Sequence, residues 1–295
     1  MKTKIITAIL IVVVLLGLFV IPEPWGTYIF AGFFGFLALI ATWEIYRVSH
    51  QEKLDVFSII TSYLNVLAIL GIGIINLFSS NIHFYLLFSP LIIYGLTMVF
   101  DKKSNHQLAA IVLTNSLYVG LGFTSLILLR NQGLYLVIYL FLVGMVSDSC
   151  AQLGGMLLGR HKLIPAISPK KTIEGAVVGT FMGTLLGALF AIYLGAMTKG
   201  DNYLTRIINP QHYDNIFSPY FNNVTLEVIL IIITSLLASI VGQIGDLVAS
   251  KIKRTYEVKD FSQILPGHGG ILDRFDSLIF IGIFLVIIVQ IGLML

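Results

Sequence analysis

The chain has 295 residues, of which 57% are apolar and 11% charged, against about 45–50% and about 25% in soluble domains. Its 18 basic and 15 acidic residues are too few to cover a core of that size with polar surface, which excludes a soluble enzyme and a disordered chain. The single cysteine, Cys150, excludes a disulfide scaffold, and a net charge of +3 gives no argument for nucleic acid.

A helix needs about 20 mostly apolar residues to cross a bilayer core. Nine runs qualify, near 5–21, 25–43, 56–78, 82–100, 108–129, 134–149, 175–198, 224–249 and 274–295. The predicted fold is therefore all-α, a polytopic membrane protein of about nine helices. Met1-Lys2-Thr3-Lys4 before an apolar run has the look of a secretory leader, but no small-x-small cleavage site follows, so a retained first helix is expected. With the N-terminus in the cytoplasm, 15 of the 18 basic residues fall in cytoplasmic segments, leaving Arg130, Lys199 and Arg206 outside. Such a bias sets orientation in membrane proteins, and it places the C-terminus outside. The first region, 1–130, holds about five plain hydrophobic spans. The polar chemistry sits in 131–295, around the cytoplasmic loops 150–174 and 250–273. Glu44, beside Trp43 and near Tyr46, reads as part of an interfacial girdle.

Ionisable groups at membrane depth are costly and mark function. Gln243, Asp246 and Ser250 share one helix face at i, i+3 and i+7. After them come Lys251, Lys253, Arg254, Lys259 and Asp260, then Pro266-Gly267-His268-Gly269-Gly270, then Asp273, Arg274 and Asp276 at the start of the last helix. Three carboxylates from two helix ends beside several cations suit a magnesium-bound polyphosphate, because Mg²⁺ takes one or two carboxylates plus phosphate oxygens and water. The glycines are expected to let backbone N–H groups of the final helix approach a phosphate. No Gly-x-x-x-x-Gly-Lys-Ser/Thr loop is present, so this is not a P-loop site. A second cluster holds Ser147-Asp148-Ser149-Cys150, then Ser168-Pro169-Lys170-Lys171-Thr172-Ile173-Glu174-Gly175.

The run from Ser250 to Asp276 resembles the signature of phosphatidate cytidylyltransferases, also called CDP-diacylglycerol synthases. Ser250, Lys253, Arg254, Lys259, Asp260, Pro266, His268, Gly269, Gly270, Asp273, Arg274 and Asp276 stand at its fixed positions. The Ser-Pro-Lys-Lys-Thr-x-Glu-Gly segment is similar as well. Around Asp148 the family's Asp-Thr-Gly/Ala-Ala-Tyr/Phe gives way to Ser149, Cys150 and Gln152.

The resemblance implies that CTP and phosphatidic acid are joined in the bilayer surface to give CDP-diacylglycerol and pyrophosphate. It further implies a cell (inner) membrane location with the site facing the cytoplasm. On this reading Asp246, Asp273, Asp276, Lys253 and Arg254 are catalytic, with Asp246 and Asp273 holding one or two Mg²⁺ ions. Ser250, Lys259, His268, Gly269, Gly270, Arg274, Lys170, Lys171 and Asp148 bind substrate. A monovalent cation and a homodimer stay open. So do a CTP-dependent lipid kinase or CDP-archaeol-type synthase and, from another class, a transporter. The acidic residues lie at helix ends rather than along a path through the bilayer, which weighs against transport.

Overall fold

The computed structural model describes residues 2–49, 56–77, 91–92, 95, 99, 106–198, 203–209, 211, 213–217 and 223–294. Helix α1 spans Lys2–Val20, α2 Trp25–Ser49 and α3 Val56–Asn76. A continuous rod follows, built from α4 (His106–Asn115), a π-helical turn (Ser116–Leu121) and α5 (Gly122–Gln132). Helix α6 is Leu134–Leu158, and strands β1 (Lys162–Ile164) and β2 (Ser168–Thr172) form an antiparallel hairpin. Helix α7 is Ile173–Ile192. After two short helical turns, Leu194–Met197 and Tyr203–Ile208, come α8 (Val224–Thr255) and α9 (Leu272–Met294).

Among the described residues seven helices are long and apolar enough to cross a membrane, and α1 is apolar over Ile9–Val20 as well. The protein is an all-α polytopic membrane protein; the β-hairpin is a small exception beyond the helices. The expected span at 82–100 lies outside the described residues but for four positions. The sixth span, expected to end near 149, runs on to Leu158. Its last turns carry Ser, Gln and Gly, which lower the hydropathy without breaking the helix.

Those glycines have a packing role. On α7, Gly175, Gly179, Gly183 and Gly187 recur every fourth residue and are all buried. A Cβ at Gly175 would stand 2.5 Å from the Ala151 carbonyl oxygen, and one at Gly179 2.6 Å from that of Ser147. Helices α6 and α7 thus touch backbone to backbone, while Val177 and Phe181, each 63% exposed, face outward. Lipid tails are as apolar as leucine, so close packing of small residues, not hydrophobic burial, drives helix association there. A polar seam ties α8 to this pair. Gln243 donates to Thr180 Oγ1 (2.9 Å) and to the Ala176 carbonyl (3.1 Å), and Ser239 Oγ donates to Ser147 Oγ at 2.8 Å.

The connections sort to two ends. At one end Thr7 donates to the Pro266 carbonyl, Glu44 reaches Ser262 and Ile271, and Arg254 reaches Ile167 of the hairpin. At the other, Glu23 pairs with Arg130, Asn131 donates to Asn76, and Tyr203 donates to the Val20 carbonyl. Both polar clusters of the sequence lie at the first end.

Candidate active site

Most of the stretch expected as loop 150–174 is ordered secondary structure. The turn Gly159–His161 is pinned by Glu174, whose carboxylate accepts from the backbone N–H groups of Arg160 (3.1 Å) and His161 (3.2 Å) and contacts His161 Nδ1 at 2.6 Å. Thr172 caps α7, its Oγ1 accepting from Gly175 N–H at 3.1 Å. This fixes strand β2 against the start of α7 and delivers Lys171 to α8. Its Nζ lies 2.5 Å from Asp246 Oδ2, and Ser250 Oγ donates to Oδ1 at 3.4 Å. Gln243, Asp246 and Ser250 thus share a face, as their spacing predicts. Lys170, the preceding residue of β2, is exposed.

The segment between α8 and α9 is organised by two other carboxylates. Asp273 has both oxygens engaged: Oδ1 takes Lys253 Nζ at 2.6 Å, and Oδ2 accepts from the N–H groups of Phe261 and Gly270, both at 2.9 Å. Lys253 also lies over the Phe261 ring, 5.2 Å from its centroid. Glu44 is fully buried. Its Oε1 accepts from Ser262 Oγ (2.5 Å) and Ile271 N–H (2.8 Å), and its Oε2 from Leu272 N–H (2.8 Å). The girdle reading of Glu44 is therefore replaced: it closes the N-terminus of α9, where a negative charge meets the positive end of the helix dipole.

The N–H groups of Gly270, Ile271 and Leu272, where a phosphate cradle is expected, are taken by carboxylates of the chain itself in the ligand-free structure. The glycines answer to geometry: Gly267 and Gly269 have φ of +77° and +84°, which favours glycine. A Cβ on Gly270 would meet the Glu44 carboxylate at 2.5 Å. His268 N–H donates to the Leu265 carbonyl at 2.8 Å as part of the same turn. Asp273 and Lys253, expected at the metal and the reaction centre, hold the loop in the ligand-free structure.

Asp276 behaves differently from Asp273, although only three residues separate them. It is 8% exposed and in no ion pair among the described residues. Its one hydrogen bond there comes from Ser277 N–H to Oδ1, at 2.8 Å. Ser277 Oγ in turn donates to Asp148 Oδ2 at 2.8 Å. Asp246 and Asp148 are the carboxylates in electrostatic reach of Asp276 and Lys253 the cation, while Lys171 and Arg274 are the cations in reach of Asp148. The convergent acids are thus Asp148, Asp246 and Asp276, from three helices, with Lys171 and Arg274 at their rim. Arg254 donates to the Val258 carbonyl at 3.0 Å and joins the two connections. Lys259 lines a separate cavity of about 990 Å³ with Trp43, Arg47 and Phe261.

At this end of the membrane bundle the three acids have Lys171, Arg274 and Lys253 in electrostatic reach among the described residues, and Lys253 is already paired with Asp273. The model of the cytidylyltransferase family matches residues 2–292. The chain belongs to this family. Among its relatives, the phosphatidate cytidylyltransferase of Staphylococcus haemolyticus strain JCSC1435 is 33% identical over 95% of this chain and 96% of its own. That of Staphylococcus aureus strain COL is 31% identical over the same shares, and that of Staphylococcus saprophyticus 32%. For a cytidylyltransferase that uses magnesium, the donor set fits at Asp246 and Asp276: hard oxygen ligands, as Mg²⁺ prefers. Among the described residues no three His, Cys, Asp or Glu side chains stand close enough to hold a metal by themselves.

Proposed function

We propose that the protein transfers the cytidylyl group of CTP to phosphatidic acid, forming CDP-diacylglycerol and pyrophosphate in phospholipid synthesis. The observation that carries this reading is the acidic group Asp148, Asp246 and Asp276 with Lys171 and Arg274 at its rim, in a chain whose relatives are named for that activity. In the reaction a phosphate oxygen of phosphatidic acid attacks the α-phosphorus of CTP and the bond to the β-phosphate breaks. Both substrates are anions, so the barrier is largely electrostatic. Magnesium, when bound, supplies a Lewis acid that draws negative charge off the phosphate oxygens. Asp246 and Asp276 would hold it, with Asp148 beside them.

Lys171 neutralises Asp246 in the free site, and beside a triphosphate its ammonium serves the phosphate oxygens instead. Arg274 and Lys170 add fixed positive charge where the pyrophosphate leaves. Phosphatidic acid already ionises near neutral pH, so no strong base is needed. The site opens at the end of the bundle that carries the N-terminus. The bias of basic residues supports a reading in which that end faces the cytoplasm at a cell membrane, where CTP is found.

The experiment is a transfer assay with purified protein, phosphatidic acid and CTP labelled at either the α- or the γ-phosphate. The expected result is α-label in the lipid fraction. Lipid carrying only γ-label would make the protein a CTP-dependent lipid kinase and overturn the reading.

A further inference from the structure

Tyr118 lies in the π-helical turn between α4 and α5, a distortion that proteins use mostly near functional sites. The turn is held tightly. A Cβ on Gly120 would meet Ile69 of α3 at 2.8 Å, and one on Gly122 would meet Ile279 of α9 at 2.5 Å. The Tyr118 ring packs on Phe280, with centroids 5.9 Å apart. Phe280 stands one turn beyond Asp276 on α9 and against Gly245, the neighbour of Asp246. The phenol is thus brought to the back of the acidic group. Its hydroxyl is buried without a hydrogen-bond partner among the described residues, and the residue is only 9% exposed. The carboxylates that act on it electrostatically are Asp276, then Asp246 and Asp273. On the other side, no donor among the described residues reaches Oδ2 of Asp276. A donor without an acceptor and an acceptor without a donor therefore sit on adjoining elements. Burying an unpaired hydroxyl is costly, and packing alone is served as well by phenylalanine.

We propose that Tyr118 is a positioning residue for Asp276, its hydroxyl donating to Oδ2 when that carboxylate turns to hold the cation of the loaded site. The inference rests on the cytidylyltransferase reading above, in which Asp276 is a metal ligand. Carboxylate ligands need such outer partners to fix their orientation, and loss of one typically costs 10- to 100-fold in metal affinity.

The test is Tyr118→Phe, purified in detergent and titrated with Mg²⁺ alone, read by melting temperature, then with both substrates, read by turnover. Without metal the variant should melt at the wild-type temperature or above it, because the orphan hydroxyl is gone. The Mg²⁺ concentration for half of the melting shift should rise about 10-fold or more, and the Mg²⁺ dependence of turnover should move with it. Tyr139→Phe is the contrast. That hydroxyl is bonded to Ser235 Oγ at 2.7 Å, away from the acids, so its loss should lower the melting temperature and leave the Mg²⁺ midpoint in place. An unchanged midpoint in Tyr118→Phe, or a wild-type protein whose melting ignores Mg²⁺, overturns the proposal. A wild-type protein that binds Mg²⁺ but transfers no cytidylyl group sinks the functional reading instead, and the two midpoints still decide the role of Tyr118.

Discussion

The segment between α8 and α9 and the acidic group beside it are built from the same residue types and use them in opposite ways. In the segment, Glu44 and Asp273 are saturated. Between them they accept from four backbone N–H groups, one hydroxyl and one ammonium. In the acidic group, Asp148, Asp246 and Asp276 share two serine donors for their side chains, one backbone N–H and one lysine. Saturated carboxylates make a rigid frame; undersatisfied ones keep lone pairs for a ligand. The difference teaches that position in a signature does not tell which kind of work a carboxylate does, since Asp273 and Asp276 lie one helical turn apart.

Breaking the frame should have the largest effect. Lys253→Met or Asp273→Ala strips one partner from a buried pair, a change that typically costs about 3–5 kcal/mol. Thermal melts in detergent should show both variants strongly destabilised, and activity should be lost only as far as folded protein is lost. A variant that melts normally yet is inactive would move its residue from the frame into the reaction.

Removing charge from the acidic group should do the reverse. Asp246→Asn and Asp276→Asn should melt at or above the wild-type temperature and lose about 10²–10³-fold in kcat. Near-normal turnover across a Mg²⁺ titration in both variants would end the assignment of these two as ligands.

Smaller effects should come from the turn itself. Gly269→Ala forces a Cβ onto a backbone with φ of +84°, at about 1–3 kcal/mol. Glu44→Gln leaves one α9 N–H facing an amide NH₂ instead of a carboxylate, for a similar loss. Both should appear in the melting temperature with the KM for CTP unchanged. A raised KM in folded Gly269→Ala would restore a phosphate role to the turn. The smallest effect is expected at the rim, where Lys170→Ala should raise the KM for CTP several-fold and leave the melt alone, since an exposed lysine carries little stability. A melting loss there would join the hairpin to the frame.

Much of this was legible from the chain. The apolar runs gave the helices, and the residues from Ser250 to Asp276 pointed to the family. Glu44 was misread because its partners are 218 to 228 residues away, and local pattern shows only Trp43 and Tyr46 next to it. Asp273 and Asp276 looked alike because a spacing of three puts both on one face. What separates them is their surroundings: Asp273 meets Lys253 and the Phe261 and Gly270 N–H groups of the preceding segment, whereas Asp276 accepts only from Ser277 N–H among the described residues. Asp148 joins the acids through Ser277, a contact that no spacing within α6 reveals. The glycines of α7 recur every fourth residue, but what that spacing does depends on α6 approaching on that side. The π-turn has no signal that hydropathy can carry.

The Glu44 clamp also bears on how the protein is made. Glu44 enters the membrane with the second helix, and among the described residues its hydrogen-bond donors all belong to residues 262–272, near the end of synthesis. Until those residues arrive, the carboxylate has to be carried protonated or hydrated at the edge of the bilayer, because an unpaired charge there is expensive. The first helical hairpin and the last helix therefore complete one another, and assembly of the site is the closing event of folding. A chain truncated before Leu272 would lose more than α9. It would leave Glu44 Oε2 without the Leu272 N–H in an otherwise finished bundle, with Ser262 and Ile271 no longer held in place by α9.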